Sequence, residues 1–587
     1  MNKKVIILGG GVAGLSAAHE LMERGFKVAV YEKGSVPGGK ARSFPVPDSG
    51  TEGRMGWPAE HGFRFFPRYY RNLPDTMKRI PYAKNPRGVY DNLIQLPRLL
   101  LAPDGLGMEP TVTLARFPRS LADLVVLLNQ VKALTAELSK EEIGLFALRM
   151  WQVFTSCEDR RRAELSAINW WDFLDADNQS YAYQELLVRG LSQALVAAQP
   201  KLANAYVLGD VIAADILALT IPGMSFDRVL NGPTNDAWID PWLNHLTSNG
   251  VEYYFEHELV GLECSTAIDG ALISHKGQIS KVTGDYYIAA LPVEVMRRIL
   301  AQDVVPGENG PTYKGVLKAD PTLSSILVLG KSVQWMNGIM YYLKPNLPIV
   351  RGHIWMPGTP WALTAISEPQ LWPGVNMADR GDGQALGLLS VVISNWNSNG
   401  VLFDKPAKEC TREEVSAEVW RQMKDSLNNG QVILRDEDLH SYYLDPAIKM
   451  PAQGLSVNEE PLFISALNTW YLQPEPYTNI PNLLLASDYV HNRIQLATME
   501  GANEAARGAV NSILDDSGSC APRCEVKKLL SPDPFLWYRM KDQERYDKGL
   551  PWTATPGWIA DLIQHIYMWL YEVVVSVMQF FSSLTEN

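Results

Sequence analysis

Residues 5–33, VIILGGGVAGLSAAHELMERGFKVAVYEK, constrain the fold more than any other stretch of the chain. The apolar run at 5–8 is typical of a strand buried in a parallel sheet, and three glycines follow it at once in GxGxxG register. In such a unit Gly9 permits the tight turn, Gly11 lets the backbone approach a pyrophosphate, and Gly14 lets the helix pack against the strand. The stretch therefore predicts a nucleotide-binding strand, turn and helix.

The residues after the glycines complete this unit. The helix that starts there directs its positive N-terminal end at the phosphates. Residues 27–31 are interpreted as a second strand, and Glu32 follows it about 20 residues after the glycines, where a carboxylate accepts hydrogen bonds from ribose hydroxyls. A lone GxGxxG is weak evidence, but the ordered set is specific. The predicted nucleotide contacts are Gly9, Gly11, Val12, Ala13, Gly14, Glu32 and Lys33.

The size and composition of the chain fit a multidomain globular protein. Its 587 residues are 46% hydrophobic and 20% charged, enough for two or three domains with large cores. The formal net charge of -12 argues against nucleic-acid binding, which needs a basic surface. The five cysteines and nine histidines show no metal-ligand spacing. We therefore expect no metal site and no nucleic-acid partner.

The N-terminus predicts a cytoplasmic location. MNKK leads directly into the first strand, without a separate apolar segment and a small-residue cleavage site. No stretch of about 18 uncharged apolar residues is present, so the sequence predicts no ordinary membrane-spanning helix.

A second glycine pair distinguishes between possible nucleotides. The segment PGGKARS, with Gly38, Gly39, Lys40 and Arg42, follows the second strand closely, and AEHGFRFFPRYY begins at Ala59. Glycines that expose the backbone, followed by cations, suit a long dinucleotide whose diphosphate and ribityl chain lie deep in the protein. This pattern indicates FAD rather than NAD as the cofactor.

Together these elements resemble the flavin amine oxidase and phytoene desaturase superfamily, whose N-terminal signature is the dinucleotide motif, an acid and a GGR or GGK element. The resemblance implies an α/β fold with a Rossmann-type FAD-binding domain. It also implies two sets of cofactor contacts: Gly38, Gly39 and Lys40 at the FAD diphosphate, and Gly62, Phe63 and Arg64 close to the flavin. The lysine makes the element similar to that of the plant-type and cyanobacterial-type phytoene and ζ-carotene desaturases, since amine oxidases usually have arginine there.

The second signature of the superfamily has a counterpart near the C-terminus. PNLLLASDYV at 481–490 precedes QLATMEGANEAARGAV at 495–510. In the desaturases a strand ending in an acid precedes a helix that opens SMEGA and meets the flavin. The resemblance implies that Asp488 contacts the ribityl or diphosphate region, and it places Met499, Glu500 and Gly501 over the flavin ring. Ser487 departs from the usual glycine, and serine fits there if the residue needs no positive φ.

The middle of the chain supplies the remainder of the FAD domain. Residues 240–263 are interpreted as helix, turn and strand, and residues 285–300 as strand, proline break and helix. In the superfamily the chain re-enters the FAD domain here, with a backbone contact to adenine at about Val260. The resemblance thus implies a discontinuous FAD-binding domain formed by residues 1–70, 240–300 and 460–515.

The segments between these parts are expected to bind substrate as an inserted α+β domain with a helical part. Residues 71–239 are predicted to be mainly helical, because apolar residues recur at i, i+3, i+4 and i+7 in LADLVVLLNQVKAL and YQELLVRGLSQALVAAQ. Residues 301–459 are predicted to be rich in strands, at 323–330, 340–345 and 386–396. Core packing is the plain interpretation of the helical stripes, and a lipid-binding tunnel is the alternative.

Residues 516–587 form a C-terminal extension that ends in an amphipathic segment. Over 557–584 the apolar residues fall on one helical face, and Asp, Gln, His and Glu fall on the other. Such an apolar face needs a cover. Docking on the protein itself or on a second copy in a homo-oligomer is one interpretation. Peripheral attachment to a membrane surface is the other, although the polar face lacks the Lys and Arg usual in such helices.

The resemblance implies that the chain is an FAD-dependent oxidoreductase enzyme. The FAD is expected to be non-covalent, because some members attach it through a cysteine shortly before the second signature and this chain has no cysteine there. A flavin accepts a hydride at N5, and the protein supplies orientation and a sealed cavity. No second GxGxxG unit for NADPH is found. This favours a quinone or dioxygen as the electron acceptor.

Three reaction classes stay open for such a chain. The first is desaturation of a hydrophobic isoprenoid, carotenoid or other lipid as the small-molecule substrate. The second is redox-neutral isomerisation or dehydroxylation of a polyene, which relatives perform with the same signatures. The third is amine oxidation, for which Lys331 is a candidate flavin-facing lysine. The sequence identifies no catalytic residue, and Glu60 and Arg64 are expected to hold FAD rather than to react.

Overall fold

The computed structural model describes residues 3–102, 108–110, 120–129, 137–194, 198–219, 226–306, 310–451, 454–530 and 535–554. The strands in chain order are β1 Lys4–Leu8, β2 Lys27–Tyr31, β3 Ser43–Pro45, β4 Pro58–Glu60, β5 Leu93–Gln95, β6 Arg98–Leu101, β7 Met108–Pro110, β8 Arg228–Leu230, β9 Glu252–Tyr254, β10 His257–Cys264, β11 Ile268–His275, β12 Gln278–Val282, β13 Tyr286–Ala289, β14 Val304–Val305, β15 Thr312–Tyr313, β16 Val333–Gln334, β17 Asn337–Leu343, β18 Gly352–Met356, β19 Leu363–Ser367, β20 Gly387–Ile393, β21 Leu439–Leu444, β22 Ile448–Lys449, β23 Val457–Asn458, β24 Leu462–Phe463 and β25 Leu483–Leu485.

The helices in chain order are α1 Val12–Glu23, α2 Asn72–Lys78, α3 Leu121–Asn129, α4 Lys140–Thr155, α5 Trp170–Phe173, α6 Ala205–Ala218, α7 Asp240–Ser248, α8 Val293–Ala301, α9 Gly315–Ala319, α10 Ser325–Leu329, α11 Arg412–Leu427, α12 Met499–Asp516 and α13 Leu536–Tyr546. Single turns at Glu158–Arg160 and Tyr181–Tyr183 and wider π-helical stretches at Arg161–Leu165, Gln184–Ala194 and Asn235–Ile239 extend the helical parts. Short 3₁₀ turns lie at Gly39–Ala41, Gly88–Asn92, Ala176–Asn178, Pro321–Ser324, Pro369–Leu371, Met377–Asp379, Ala407–Glu409, Asp436–Asp438 and Trp470–Leu472.

A five-stranded parallel sheet forms the centre of the cofactor-binding part. Its strand order is β25-β13-β1-β2-β9, and every neighbouring pair is parallel. After its first residue β1 is apolar and buried, as expected for a strand covered on both faces. The strands come from separate stretches within 4–31, 252–289 and 483–485. This is the Rossmann-type α/β arrangement that the sequence predicts.

Two helices pack against one face of this sheet, over its central strands. α1 and α12 share a hydrophobic core with β1 and β2, and small residues such as Ala17 and Ala509 allow their close approach. Asn503 Nδ2 donates to Ser16 Oγ at 2.8 Å between the two helices. The pairing holds the N-termini of both helices near the carboxyl edge of the sheet, where ligands bind in open α/β sheets.

A second sheet of seven strands has the order β21-β17-β20-β19-β18-β6-β7. One face packs on α11 through a separate apolar core. The other face meets the chain after β4, where Gly338 N donates to the carbonyl of His61 at 2.6 Å. β17 and β20 confirm the strands predicted at 340–345 and 386–396. The sheet thus forms a wall beside the segment that follows β4.

The strand predicted at 323–330 is wrong. Pro321–Ser324 is a 3₁₀ turn and Ser325–Leu329 is helix α10. Asp320 caps the turn by accepting from Thr322 N at 3.1 Å. Ile326 and Leu329, three positions apart, are buried, whereas Val328 is exposed. A short apolar run cannot distinguish a strand from a buried helix by its pattern alone, and here the cap and the proline decide for helix.

α4, the longest described helix of the helical region, begins with a capping box. Ser139 accepts from Glu142 N, and the Glu142 side chain accepts from Ser139 N. The C-terminal extension docks on this region through α13. Arg160 and Asp542, both nearly fully buried, form an ion pair with Nε–Oδ2 at 3.0 Å. Trp552 Nε1 also donates to Thr155 Oγ1 at 3.1 Å.

The amphipathic segment predicted at 557–584 lies outside the described residues. Among the helices that are described, none combines the length and the hydropathy needed to cross a bilayer.

Candidate functional site

A cavity of about 490 Å³ opens at the carboxyl edge of the parallel sheet. Its walls come from the turn after β1, the segment after β2, the start of β10, the turn before α8 and the start of α12. The residues of this cofactor cavity are Gly9, Gly11, Val12, Ala13, Tyr31, Glu32, Lys33, Gly34, Ser35, Val36, Gly38, Gly39, Lys40, Ala41, Arg42, Arg64, His257, Glu258, Leu259, Ala290, Leu291, Pro292, Glu294, Val295, Arg298, Glu459, Glu460, Leu462, Ser487, Asp488, Ala497, Thr498, Met499 and Ala502.

The N-terminus of α1 is open toward this cavity. Its N-cap is Gly11, which has no side chain to accept from the first-turn N–H groups, and the first turn contains no acidic residue. Val12 and Ala13 line the cavity immediately after it. Unsatisfied N–H groups and the helix dipole together favour an anion here. The local geometry therefore suits a phosphate group.

The glycines allow the backbone segments around the cavity to approach one another. Gly9 has φ of 108°, which an L side chain rarely adopts. A Cβ on Gly39 would lie 2.9 Å from Gly11 Cα, and a Cβ on Gly14 would lie 1.9 Å from the carbonyl oxygen of Gly9. The Gly14 contact is the close packing of helix on strand. The contact between Gly11 and Gly39 brings the two glycine turns together.

Glu32 lies at the end of β2 on the cavity wall. Its Oε2 accepts from Gly10 N at 2.6 Å and its Oε1 accepts from Gly34 N at 2.7 Å. The side chain is half-buried, and each oxygen has a second lone pair for a ligand. Lys33 beside it is exposed, with Nζ 3.9 Å from the Glu258 carboxylate. The acid thus both shapes the turn and faces the cavity.

Cations on the cavity wall are paired with carboxylates. Lys40 Nζ donates to Glu294 Oε1 at 2.9 Å and also to the carbonyl of Pro461. Arg42 Nη1 donates to Glu460 Oε1 at 2.9 Å. Burial raises the pKa of the Glu294 carboxyl, and the nearby Lys40 charge opposes the rise. Glu294 Oε2 is buried and has no hydrogen-bond partner among the described residues, so it is available to a polar group of a ligand.

Asp488 lies at the far side of the cavity, after β25. Burial raises the pKa of its carboxyl, and Lys40 opposes the rise. Ser487 Oγ donates to Asp488 Oδ1 at 3.2 Å. Ser487 is not among the residues with positive φ, so serine fits the backbone at this position.

The N-terminus of α12 forms another wall of the cavity. Its N-cap is Thr498, whose Oγ1 accepts from Gly501 N at 3.0 Å. Thr498, Met499 and Ala502 line the cavity. Gly501 lies within the first turn of the helix and does not line the cavity. A second helix dipole therefore has its positive end at the same cavity as α1.

The side chain of Glu500 points away from the cavity. Its carboxylate accepts from Asn72 N at 2.5 Å, from Leu73 N at 2.8 Å and from Arg71 N at 2.8 Å, at the start of α2. Burial raises the pKa of this carboxyl, and those backbone donors oppose the rise. Glu500 thus joins the starts of α2 and α12, whereas the resemblance places it over the flavin ring.

Arg64 reaches the cofactor cavity from the segment after β4. Its Nε donates to the carbonyl of Gly62 at 2.9 Å and its Nη1 to the carbonyl of Lys40 at 3.1 Å. Gly62 packs against the seven-stranded sheet, since a Cβ on Gly338 would lie 2.9 Å from Gly62 Cα. Phe63 contacts His353 with ring centroids 5.4 Å apart. Gly62 and Phe63 border the cavity through Arg64 rather than lining it.

Val260 lies next to the cavity at a β-bulge. The pairing of β10 with β11 shifts between Leu259 and Gly261, which leaves Val260 without a partner in the ladder. Its carbonyl accepts from Gln302 Nε2 at 3.0 Å. Leu259, one residue earlier, lines the cavity.

The sequence reasoning missed several lining residues. Thr498 carried the N-cap signal of a threonine directly before a helix. Glu294 follows a strand and a proline at a helix start, where an acid is favoured by the helix dipole. Glu460 and His257 carried no local signal, because only the tertiary fold brings them to the cavity.

The hydrogen-bonding groups around the cavity fit the dinucleotide that the resemblance implies. Two helix N-termini and two glycine turns suit the diphosphate of FAD, and Glu32 suits its ribose. The unpartnered oxygen of Glu294 and the carboxyl of Asp488 suit hydroxyl donors. None of the five cysteines lines this cavity. Within the described ranges, no group of three or more His, Cys, Asp or Glu side chains is placed to hold a metal ion.

An ion cluster lies farther along the segment that carries Arg64. Arg68 is buried, and its Nη2 contacts Asp227 Oδ2 at 2.7 Å while its Nε lies 3.2 Å from Asp215 Oδ1. Lys331, in contrast, is exposed after α10 and does not line the cofactor cavity.

The family model described as flavin containing amine oxidoreductase matches residues 12–514. A carotenoid phi-ring synthase of Streptomyces griseus is 28% identical over 244 residues, which are 39% of this chain and 43% of that relative. A carotenoid phi-ring synthase of Chlorobaculum tepidum is 41% identical over 69 residues, 12% and 10% of the two chains. A zeta-carotene desaturase of Arabidopsis thaliana is 38% identical over 82 residues, 14% and 13%. Each alignment spans less than half of the relative.

Solved structures share the fold over most of the chain. An oxidoreductase from Methanosarcina mazei has a TM-score of 0.53 at 13% identity and covers 87% of this chain and 100% of its own. Cyclohexylamine oxidase from Brevibacterium oxydans IH-35A has a TM-score of 0.54 at 11% identity, with 88% and 100% covered. At such identities the likeness establishes the fold, and it confirms the predicted fold class.

Proposed function

The chain belongs to the flavin-containing amine oxidoreductase family, and we propose that it desaturates a hydrophobic isoprenoid or carotenoid-type lipid. As a member of this family it is an FAD-dependent oxidoreductase. FAD supplies a hydride acceptor at N5 when bound. The reaction removes two hydrogens from adjacent carbons, and a quinone or dioxygen takes the electrons.

Phe63, Phe65 and His353 form a cluster of aromatic rings beside Arg64, called the aromatic wall below. This wall is the observation that carries the choice of an apolar substrate. Phe63 and Phe65 are partly accessible, although Gly62 before them and Phe66 after them are buried. Both rings lie 5.4 Å from the ring of His353. Burial lowers the pKa of His353 to about 4, so the imidazole is neutral at physiological pH. The wall is therefore uncharged where these rings meet.

The curated relatives support the polyene class. Those that match this chain include carotenoid phi-ring synthases and zeta-carotene desaturases. Amine oxidation gains less support, because Lys331 is exposed and away from the cofactor cavity.

The roles of the cofactor-cavity residues follow from their positions. The N-terminus of α1, with Gly11, Val12 and Ala13, would hold the diphosphate together with the turn at Gly38 and Gly39. Glu32 would accept from the ribose of the adenosine half. Asp488 and the start of α12 at Met499 would lie along the ribityl chain and the flavin. Arg64 would hold the segment after β4 against the ring.

Anaerobic mixing of the FAD-loaded protein with carotenes in detergent micelles tests the proposal. Bleaching of the oxidised flavin band, a product two hydrogens lighter and recovery of the band on adding a quinone are expected. Altered polyene with an unchanged flavin band would favour isomerisation instead. Release of ammonia and peroxide from an added amine in air, without any response to polyenes, would overturn the proposal.

We also propose that the segment at 557–584 attaches the enzyme to a membrane surface from which an apolar substrate is drawn. Residues up to 554 dock on α4, since Trp151 Nε1 donates to the carbonyl of Ala554 at 3.0 Å. Deletion of 557–587 therefore spares these contacts. Flotation of full-length but not truncated protein with liposomes would support attachment. Equal flotation, with a smaller oligomer after truncation, would favour a homo-oligomer contact.

A further inference from the structure

We propose that Glu294 binds FAD as a neutral acid, so that binding of the cofactor to this chain takes up a proton. This role needs FAD as the cofactor and does not depend on the proposed substrate. Glu294 is the second residue of α8, and its side chain lies on the wall of the cofactor cavity.

The wall of the cofactor cavity carries one more carboxylate than it carries cations. Among its described residues the carboxylates are Glu32, Glu258, Glu294, Glu459, Glu460 and Asp488. The cations are Lys33, Lys40, Arg42, Arg64 and Arg298. The diphosphate of FAD, which suits the start of α1, adds further negative charge to the same cavity. Bound FAD therefore leaves an excess of negative charge, which a proton can offset.

Most carboxylates of this wall have partners of their own or reach solvent. Glu460 Oε1 accepts from Arg42 Nη1 at 2.9 Å, and Glu258 Oε1 accepts from Arg298 Nη2 at 2.8 Å. The acid after β2 accepts from two backbone N–H groups. Glu459 is exposed. The excess charge therefore falls on the two remaining acids, Glu294 and Asp488.

The Glu294 carboxyl is only half paired. Its Oε1 accepts from Lys40 Nζ at 2.9 Å, whereas its Oε2 is buried and has no hydrogen-bond partner among the described residues. The side chain is 19% accessible. A bound ligand that excludes water from this wall removes the remaining solvation of the carboxyl. Because an ionised oxygen without a donor is costly to bury, the ligand favours the neutral acid.

Lys40 is shared among several acceptors. Its Nζ also donates to the carbonyl of Pro461, and its charge lowers the pKa of the Asp488 carboxyl against the effect of burial. Burial raises the pKa of the Glu294 carboxyl, Lys40 opposes the rise, and Asp488 adds to it. One ammonium group therefore compensates only one of the two acids, and the half-paired Glu294 is the one that takes the proton.

The other titratable groups of this region differ in what they can contribute. Burial raises the pKa of the Tyr31 hydroxyl to about 12. Burial and the charge of Asp488 raise the pKa of the Tyr489 hydroxyl above its usual value. Both hydroxyls therefore stay protonated near neutral pH. His257 also lines the cavity, with Nδ1 2.6 Å from the carbonyl oxygen of Phe255. This imidazole is the alternative group for proton uptake, and a variant has to distinguish it from Glu294.

A neutral Glu294 changes the hydrogen bonds that the wall offers to FAD. A protonated carboxyl donates one hydrogen bond and still accepts others, whereas an ionised carboxylate only accepts. Glutamine has nearly the same shape and is always neutral. Glu294→Gln should therefore bind FAD without taking up a proton.

Release of FAD from the full-length holoenzyme across pH tests this role. The holoenzyme is diluted at each pH, and free FAD is measured by its fluorescence. A proton held more tightly in the complex than in the free protein makes affinity fall as pH rises. We expect the wild-type affinity for FAD to fall by up to about tenfold per pH unit above the ordinary range of carboxyl groups. Glu294→Gln should bind FAD with little dependence on pH.

Two further variants serve as comparisons in this experiment. His257→Gln should retain the wild-type pH dependence. Glu263→Gln is the surface control, because this exposed carboxylate also pairs with a lysine, Lys281, with Oε2 and Nζ 2.7 Å apart. Wild-type pH dependence in Glu294→Gln would overturn the inference, and so would its loss in His257→Gln alone.

Calorimetry counts the protons directly. FAD is titrated into the FAD-depleted full-length chain in buffers of different ionisation enthalpy, and the dependence of the binding enthalpy on the buffer gives the number of protons taken up. We expect about one proton per FAD near neutral pH for the wild type and for Glu263→Gln, and much less for Glu294→Gln. A wild-type value near zero would overturn the inference.

Infrared difference spectra of the wild type, FAD-loaded minus FAD-free, give a readout that needs no variant. A carboxylic C=O band that shifts in deuterium oxide should appear when FAD binds at neutral pH, and its absence would contradict a neutral Glu294. A chain that takes up no FAD would overturn both the cofactor and this role. A proton-linked holoenzyme that no polyene reduces would overturn only the proposed function.

Discussion

The cofactor cavity and the aromatic wall beside Arg64 are constructed in different ways. The part of the cofactor cavity that suits a diphosphate is backbone, with glycine turns at Gly11 and Gly39 and the starts of α1 and α12. The aromatic wall consists of side chains from distant elements, namely Phe63, Phe65 and His353. The difference teaches that backbone geometry over a few residues sets the phosphate-binding wall, whereas long-range packing sets the charge state of the aromatic wall. Substitutions in these two regions should therefore affect FAD binding and stability in different ways.

The largest expected effect is a contrast within the glycine turn itself. Gly14→Ala places a Cβ 1.9 Å from the Gly9 carbonyl oxygen, so we expect a loss of about 3 kcal/mol or more in the free energy of unfolding. Gly11→Ala meets no atom closer than 3.7 Å and adds a methyl group to the cavity wall. It should keep the stability of the FAD-free protein and weaken FAD binding. Denaturant midpoints measure the stability of the two variants, and FAD titrations measure their affinity for FAD. Equal destabilisation of the two variants would contradict this prediction.

The next effect concerns acid stability at the aromatic wall, which contains His353. Burial lowers the pKa of His353 to about 4, below its unfolded value, so the neutral imidazole contributes stability above about pH 6.5. That contribution is lost as pH falls toward 4, by up to about 3 kcal/mol. His353→Gln should therefore flatten the decline in denaturant midpoint between neutral and acidic pH. A variant with the wild-type slope would show that His353 is not held neutral by the fold.

A smaller effect is expected for the acid of the cofactor cavity. Glu32→Ala removes the acceptor of Gly10 N and Gly34 N, and the ligand loses an acceptor as well. We expect FAD binding to weaken by about 1.5 kcal/mol or more, roughly tenfold. Turnover of the FAD-loaded fraction should stay the same. Glu52→Ala, at an exposed carboxylate, is the control, and equal FAD content in all three proteins would reject the role of Glu32.

The smallest effect is expected at Lys331. This side chain is exposed after α10, so Lys331→Ala should change flavin reduction by carotene less than twofold and stability by less than about 0.5 kcal/mol. A large loss of activity would favour the amine-oxidase interpretation and would place this residue at the flavin after all.

Much of the fold could be predicted, and the failures have local causes. The parallel sheet follows from β1, β2 and β13, whose apolar runs and flanking turns are unambiguous. The apolar run at 323–330 predicts a strand, but Asp320 caps a 3₁₀ turn there and a helix follows. Such a run contains no period that distinguishes the two structures.

Part of the candidate site could likewise be predicted from the sequence, and part of it could not. Gly9, Gly11, Gly38 and Gly39 were named from the sequence, and the structure brings them to one cavity. Glu500 was named as well, but its carboxylate caps α2. A sequence position next to a motif predicts where a backbone lies and leaves the direction of the side chain undetermined. No local signal singled out Glu460, which only the tertiary fold brings to the cavity.

The sequence by itself determined the cofactor cradle of this protein, because a glycine turn between a strand and a helix is set by backbone sterics over a few residues. It also determined the family, through motifs that lie near both ends of the matched region. Only the tertiary structure decided the aromatic wall and the ion cluster at Arg68. Arg68 and Asp227 are 159 residues apart, and they form their ion pair only when two separate segments fold together. Desolvation and ion pairing depend on that packing, and no local pattern of residues encodes them.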